Sequence, residues 1–245
     1  MSEHEGVRYL HLGTPWVQGA MRIARPQQVE LEYVQRMLAV LLWLPTSDLD
    51  DTAQRAVQLG LGAGALSRFA CQALKWDSLA VEINPQVVAA CRAWFRLPDD
   101  GPGFRTLIGD AAAWLQQPDV AGSVRLLHVD LYDEEAAAPV LDDEAFYASC
   151  RQVLCEGGLM AVNLFGRDAS FARSAERIAK VFGAEQVWQL RPTREGNTVV
   201  VAAQGVTVPD RAELQARAEA LERRFARQGL PARKWLRMVS PWRPT

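Results

Sequence analysis

The chain has 245 residues, with 27 Lys+Arg against 29 Asp+Glu and a formal net charge of −2 at pH 7, and a chain of this length can bury roughly three-quarters of its unfolded surface in one α/β domain. Hydrophobic residues make up 49% and charged residues 23%, which excludes disorder, collagen and coiled coil as global descriptions. The near-neutral balance argues against a protein that holds nucleic acid by bulk electrostatics.

No stretch approaches the ~20 apolar residues of a membrane span, and the N-terminus MSEHEGVRYL lacks the apolar segment of a secretory signal. Cys71, Cys91, Cys150 and Cys155 form no CxxC pair, so reduced thiols in a cytoplasmic protein are expected. His4, His11 and His128 are scattered, and no metal site is expected from them.

Three zones follow in chain order: 1–52, 53–205 and 206–245. In the first, Val7–Leu12 and Trp16–Ile23 alternate apolar and polar positions around Gly13-Thr14-Pro15, which predicts a short β-hairpin. Apolar residues at 31, 34, 38, 41 and 42 then predict a helix from Gln28 to Leu44, stopped by Pro45. The segment Thr46–Thr52 reads as a polar linker.

The second zone alternates strand-like and helix-like segments. Strands are expected at Ala56–Gly60, Ser78–Ile83, Phe104–Gly109, Val124–Asp130, Gly158–Phe165, Gln186–Leu190 and Thr198–Gln204. Helices are expected at Ala65–Lys75, Pro85–Phe95, Ala111–Gln117, Asp142–Cys155 and Ala169–Phe182. Runs such as VRLLHVD and GLMAVNLF are apolar nearly throughout, as in strands covered on both faces. The fold class is therefore α/β: a doubly wound, mostly parallel, seven-stranded Rossmann-like sheet, with the N-terminal hairpin and helix in front. Arg191–Asn197 is too short for a crossover helix, so the last two strands should form an antiparallel hairpin at the sheet's end.

In the third zone Ala212–Arg227 predicts a charged helix with Leu214, Ala218, Leu221 and Phe225 on one face. The basic tail LPARKWLRMVSPWRPT either docks on the domain through Trp235, Leu236 and Met238 or binds a partner.

The sharpest chemical signal is VQLGLGAGALSRF, where Gly60, Gly62 and Gly64 stand at the turn from the first strand of the sheet into its first helix. Glycines there let a ligand approach the backbone and the free N–H groups of the helix start. Glu82 ends the next strand and can accept two hydrogen bonds from a ribose diol. Together they put an adenosine-containing ligand at the sheet's switch point; the competing reading is a structural turn and a surface Glu. Asp110 in TLIGDAAAWL caps a helix, receives an adenine amino group, or does both. In LLHVDLYDEE, Asp130 ends the fourth strand and Asp133 follows, two carboxylates able to hold a cationic substrate and take a proton from an amine. Residues 133–135 alternatively form a solvated loop. Tyr132 could line the same pocket.

The segments LHLGTPWVQGAMR, LEYVQRML, LGLGAGALSRF, AVEINPQVV, GDA (109–111), VDLYD and FYASCRQVLCEGGLMAVNL, taken in this order, resemble the spermidine synthase (polyamine aminopropyltransferase) family, within the class I S-adenosylmethionine-dependent methyltransferase fold. The resemblance spans residues 10–205. It implies that Gly60, Gly62 and Gly64 form the cofactor loop, Glu82 holds the ribose and Asp110 contacts adenine. It further implies that Asp130 is the catalytic aspartate that orients and deprotonates the attacking amine, that Asp133 is the second acid of the DxxD pattern, and that Gln18 and Tyr33 frame the cofactor and polyamine pocket. The implied reaction moves an aminopropyl group from decarboxylated S-adenosylmethionine to putrescine, an in-line displacement in which positioning and deprotonation are most of the task.

The chain departs from the family pattern at four sites in the sequence, and its N-terminal β-domain is shorter than usual. Ala63 replaces the acid of the usual GGGDG loop, Gln35 replaces Glu after the YH or YQ pair, EEAAAP replaces PxGPA after Asp133, and Asn163 stands for the Gln of the fifth strand. Three activities follow as expectations. One is aminopropyl transfer to a small-molecule amine. The second is S-adenosylmethionine-dependent methyl transfer, for which a small residue at 63 would leave room for a carboxylate-bearing cofactor. The third is non-catalytic nucleoside binding. The family resemblance also implies a homodimer; no nucleic-acid or membrane partner is expected.

Overall fold

The structure is a computed structural model that describes residues 1–13, 16–131, 141, 143–165 and 169–244, with the backbone alone at 169 and 170. A small antiparallel sheet comes first, built of β1 (Ser2–His4), β2 (Val7–Leu10) and β3 (Gly19–Arg22). The expected hairpin is the β2–β3 pair, in register from Val7↔Arg22 to Leu10↔Gly19. The strand β1 is an addition, joined to β2 through Glu5 and Gly6 at φ 49° and 74°, the pair of positive φ values that a two-residue hairpin turn demands.

The helix expected over 28–44 is split into α1 (Glu32–Met37) and a tighter 3₁₀ run over Leu38–Trp43. Every residue from Met37 to Leu44 is buried. An apolar stretch without a solvent face has its winding set by what surrounds it, not by a 3.6-residue stripe.

The large sheet contains β4 (Arg55–Leu59), β5 (Asp77–Glu82), β6 (Phe104–Ile108), β7 (Val124–Val129), β8 (Leu154–Phe165), β9 (Val187–Leu190), β10 (Asn197–Ala203) and β11 (Val239–Pro241). In space they run β11-β9-β10-β8-β7-β4-β5-β6. The pairs among β4–β8 are parallel, and β10, β9 and β11 join antiparallel. All seven expected strands are present within a few residues of their expected ends. The eighth, β11, comes from the basic tail and covers the β9 edge that the sequence left open. A bare edge strand is a template for stray pairing, and a short strand over it removes the hazard.

Helices α2 (Ala65–Arg68, continued by a π-type turn over Phe69–Leu74), α3 (Pro85–Trp94), α4 (Ala111–Leu115), α5 (Glu144–Val153), α6 (Ala169–Phe182), α7 (Arg211–Arg224) and α8 (Ala232–Trp235) pack around the sheet. Alternation along the strands divides the core by face. Leu126, Leu159, Ala161, Val199 and Val201 face the 38–44 run, α2 and α7. Leu127, Met160, Val162, Val200 and Ala202 face α4, α5 and α6. A third cluster seats the hairpin on α3 through Leu10, Met21, Leu61, Cys91 and Phe95. Among the described residues no helix is long and apolar enough to cross a membrane.

The tail is docked. Trp235 is 1% exposed and shares a core with Trp43, Trp188 and Phe225, while Met238 O accepts from Arg191 N at 3.0 Å. Trp235→Ala should cost about 3–5 kcal/mol, the usual range for emptying a large aromatic site, measured by urea denaturation. Deletion of residues 230–245 should lower the melting temperature further, because β9 then loses its outer partner.

Candidate active site

The order β7-β4-β5 puts the switch point between β4 and β7, since the chain leaves β4 toward β5 and later returns on the other side to form β7. Ligands of open α/β sheets bind outside the strand ends at such a point. The residues there are Gly60, just after β4, and Asp130, just after β7. They touch through the backbone: Asp130 N donates to Leu59 O at 2.9 Å, and a Cβ on Gly60 would lie 2.1 Å from Asp130 O. With φ at +82° as well, only glycine fits.

The loop beyond Gly60 is held from below. Gln58, buried in β4, donates from Nε2 to the carbonyls of Gly60 (2.7 Å) and Leu61 (3.1 Å) and accepts from Ser67 Oγ at 2.6 Å. Arg68 Nη1 donates to Ala63 O at 2.6 Å and Phe95 O at 2.7 Å, and Cys91 Sγ donates to Gly62 O at 3.1 Å. Gly62 and Gly64 also have positive φ, +51° and +69°. The signal for Gln58 was a lone amide inside an otherwise apolar strand.

Glu82, 9% exposed at the end of β5, accepts from Leu61 N at 2.8 Å through Oε2 and from Asn84 N at 2.9 Å through Oε1. It thereby ties the glycine loop to the start of α3 while each oxygen keeps a lone pair. Ile83 next to it is 69% exposed, an apolar surface beside the acid that sequence reading passed over. Asp110 is exposed and caps α4, accepting from Ala113 N at 2.7 Å.

Above the loop lies the hairpin. Gly19 sits on Ala63 so closely that a Cβ at 19 would be 2.4 Å from Ala63 Cβ and 2.5 Å from Ala63 N. Ala63 is 3% exposed, so the room expected from a small residue at 63 is taken by the backbone of β3. Gln18 O stands 2.9 Å from where a Cβ of Gly62 would be. The seam left between hairpin and loop has a volume of about 10 Å³ and is lined by Gln18, Tyr33, Gln58 and Asp130 among others.

Next to the seam opens a cavity of about 450 Å³, a usual size for a small-molecule site. Asp130, Gln18 and Tyr33 line both spaces. Trp16 and Phe165 meet edge to face across the larger one, ring centroids 6.1 Å apart. Its acids are Glu30, Glu32, Asp130 and Glu195. Two of them are compensated: Arg22 holds Glu30 through two hydrogen bonds of 2.6 and 3.1 Å, and Arg36 holds Glu32 at 2.7 Å. Glu195 makes no ion pair with a described residue.

Asp130 accepts from Asn163 Nδ2 at 2.8 Å and is hydrogen-bonded by Tyr33. Asn163 Oδ1 accepts in turn from Asn197 Nδ2 at 3.2 Å. Burial pushes the Asp130 carboxyl up to about 6, against the lowering effect of Asn163 and Tyr33. Asp133 and Tyr132 lie outside the described residues. Among the described residues no cluster of three or more His, Cys, Asp or Glu could hold a metal.

No family model matches the chain. It is 33% identical over 227 residues to a polyamine aminopropyltransferase of Chromobacterium violaceum, covering 92% of this chain and 84% of that protein. It is 32% identical over 205 residues to one of Neisseria meningitidis serogroup A, covering 83% and 75%. By structure it is similar to human methyltransferase-like protein 13 in complex with SAH (TM-score 0.71, 21% identity, 80% of this chain and 93% of that one). It is also similar to a probable spermidine synthase from Corynebacterium glutamicum (TM-score 0.69, 19% identity, 89% and 81%). The structural likeness carries the class I methyltransferase fold, and the sequence identity along nearly the whole chain carries more: the chain belongs to the polyamine aminopropyltransferase family.

Proposed function

We propose that this chain transfers an aminopropyl group from decarboxylated S-adenosylmethionine to a small amine, with Asp130 as the base. The observation that carries the reading is the position of Asp130: among the described residues, the only acid lining the seam at the glycine loop also lines the adjoining aromatic and acidic cavity. Donor and acceptor would meet at that carboxylate.

The residues fit an adenosyl group. Gly60 and Gly62 are only partly buried, Glu82 has lone pairs for a ribose diol, and the exposed Ile83 and Asp110 follow the ends of β5 and β6. Bound there, the donor supplies a carbon activated by its sulfonium. Asp130 orients the acceptor's ammonium and takes its proton; the freed nitrogen lone pair forms the new C–N bond as the C–S bond breaks, and the bonding pair stays on sulfur as a thioether. Gln18 and Tyr33 hold the two reactants in line, and water is kept out by the hairpin over Ala63. Asp133 and Tyr132 belong to the same reading, as the second acid and a wall of the acceptor pocket. With Glu30 and Glu32 compensated by arginines, attraction for a cationic acceptor falls, among the described residues, to Asp130 and Glu195, joined on this reading by Asp133. The family reading also carries a cytoplasmic homodimer, for which sedimentation velocity should give twice the chain mass.

Incubation with decarboxylated S-adenosylmethionine and putrescine should release methylthioadenosine. S-adenosylhomocysteine from S-adenosylmethionine, with no methylthioadenosine from the decarboxylated donor, would transfer the assignment to methyl transfer. Asp130→Asn should lower kcat by about 10²–10⁴, the range for losing a general base, while calorimetry finds donor affinity retained.

The carboxyl must be ionised to act, so kcat/KM for the amine should fall on the acid side with a midpoint near 6. Asn163→Leu removes a hydrogen bond that favours the ionised form, and the midpoint should move up. For folding the sign is opposite. The folded pKa lies above the ordinary 3.8, so the native state binds the proton more tightly. That stability is full below pH 3.8 and is lost as pH rises through about 6. Asp130→Asn should therefore be more stable than the parent at pH 7.5, by about 1–3 kcal/mol, in urea titrations.

A further inference from the structure

A second cavity of about 450 Å³ lies away from the crevice, between residues 26–29, the helical segment 65–73 and the end of α7 at 223–228. Its lining contains Arg68, Arg223, Arg224 and Arg227 with four glutamines and, among the described residues, no Asp or Glu. Arg224 is committed elsewhere, to Asp50 at 2.6 Å and Leu49 O at 2.8 Å. Arg223 and Arg227 are exposed and make no ion pair with a described residue. Arg68 is 5% exposed, its Nε has no hydrogen-bond partner, and no described carboxylate pairs with it. Burial brings its guanidinium down to about 10, with only the Cys91 and Cys71 thiols opposing.

A buried cation without a counter-ion is costly, and here it forms the inner wall of a concave site whose mouth carries two more unpaired cations. The C-terminal end of a helix favours Arg223 and Arg224 through the helix dipole. That does not account for Arg227, for Arg68, or for the lack of acids. Guanidinium forks match phosphate oxygens in pairs, amides of Gln28 and Gln72 can complete the set, and the volume suits a small molecule.

We propose that this cavity is a binding site for a small phosphate-bearing anion of the diphosphate or triphosphate class, gripped by Arg223 and Arg227 at the mouth and by Arg68 within. The site is independent of the aminopropyl-transfer reading. Through Arg68, whose Nη1 also holds Ala63 O, the anion would sit directly behind the glycine loop.

Calorimetric titration of the whole chain with sodium pyrophosphate at fixed ionic strength should give saturable one-to-one binding. R223A/R227A should weaken it by roughly tenfold or more, as expected when charge-assisted hydrogen bonds are lost. R211A/R243A, which removes the same charge from exposed positions outside the cavity, should leave it within about twofold, the size of effect expected from distant screened charges. No saturable binding to the parent, or equal weakening in both double variants, would overturn the proposal.

Discussion

Two strand ends meet at the centre of this molecule with no space between them. The carbonyl of Asp130 occupies the place a side chain at 60 would need, and its N–H completes the ladder to Leu59. The position of the acid relative to the glycine loop is therefore set by the β4–β7 pairing, not by flexible side chains. Parallel strands buried on both faces are among the most rigid elements a chain can offer, and reacting groups benefit when their spacing is fixed before substrates arrive. Gln58 extends the same device by tying the loop carbonyls to Ser67 on α2.

The electrostatics follow from that placement. Asp130 is partly buried, no described cation pairs with it, and its described partners are neutral: an amide and a phenol. Asn163 is itself anchored to Asn197, at the start of β10. The carboxyl is kept less acidic than usual, which suits a base working near neutrality. The arginines nearby, Arg22 and Arg36, are spent on Glu30 and Glu32. An ammonium group in the cavity would supply the counter-ion that the protein withholds, so the same burial that destabilises the folded chain above pH 6 favours a cationic acceptor.

Much of this architecture was legible in the sequence. Seven strands were read near their true positions because parallel strands covered on both sides are continuous apolar runs bounded by turns. The Gly60–Gly64 turn and the strand-end acids stood out because glycines and carboxylates interrupt the apolar pattern where strands end. What failed to show was non-local. The 28–44 stripe looked like one helix, yet burial on every side of Leu38–Trp43 rewound it. Nothing local in VSP announces a strand; β11 exists because β9 has an edge to be filled. Gln35 stands where the family pattern has Glu, yet Glu30 and Glu32 line the cavity and are compensated by Arg22 from β3 and Arg36 from α1. Pairings of that kind depend on how hairpin and helix dock, and no spacing rule reports them.

The departure at Ala63 has a structural counterpart in Gly19. The two residues are packed so closely that a single added carbon at 19 would meet Ala63 Cβ at 2.4 Å. They act as one unit that brings the hairpin down onto the glycine loop and leaves a seam of about 10 Å³. With no carboxylate at 63, the only acid lining that seam among the described residues is Asp130. Under the proposed aminopropyl transfer Asp130 is engaged by the acceptor amine, so discrimination between donors would draw on the shape of the seam more than on its charge.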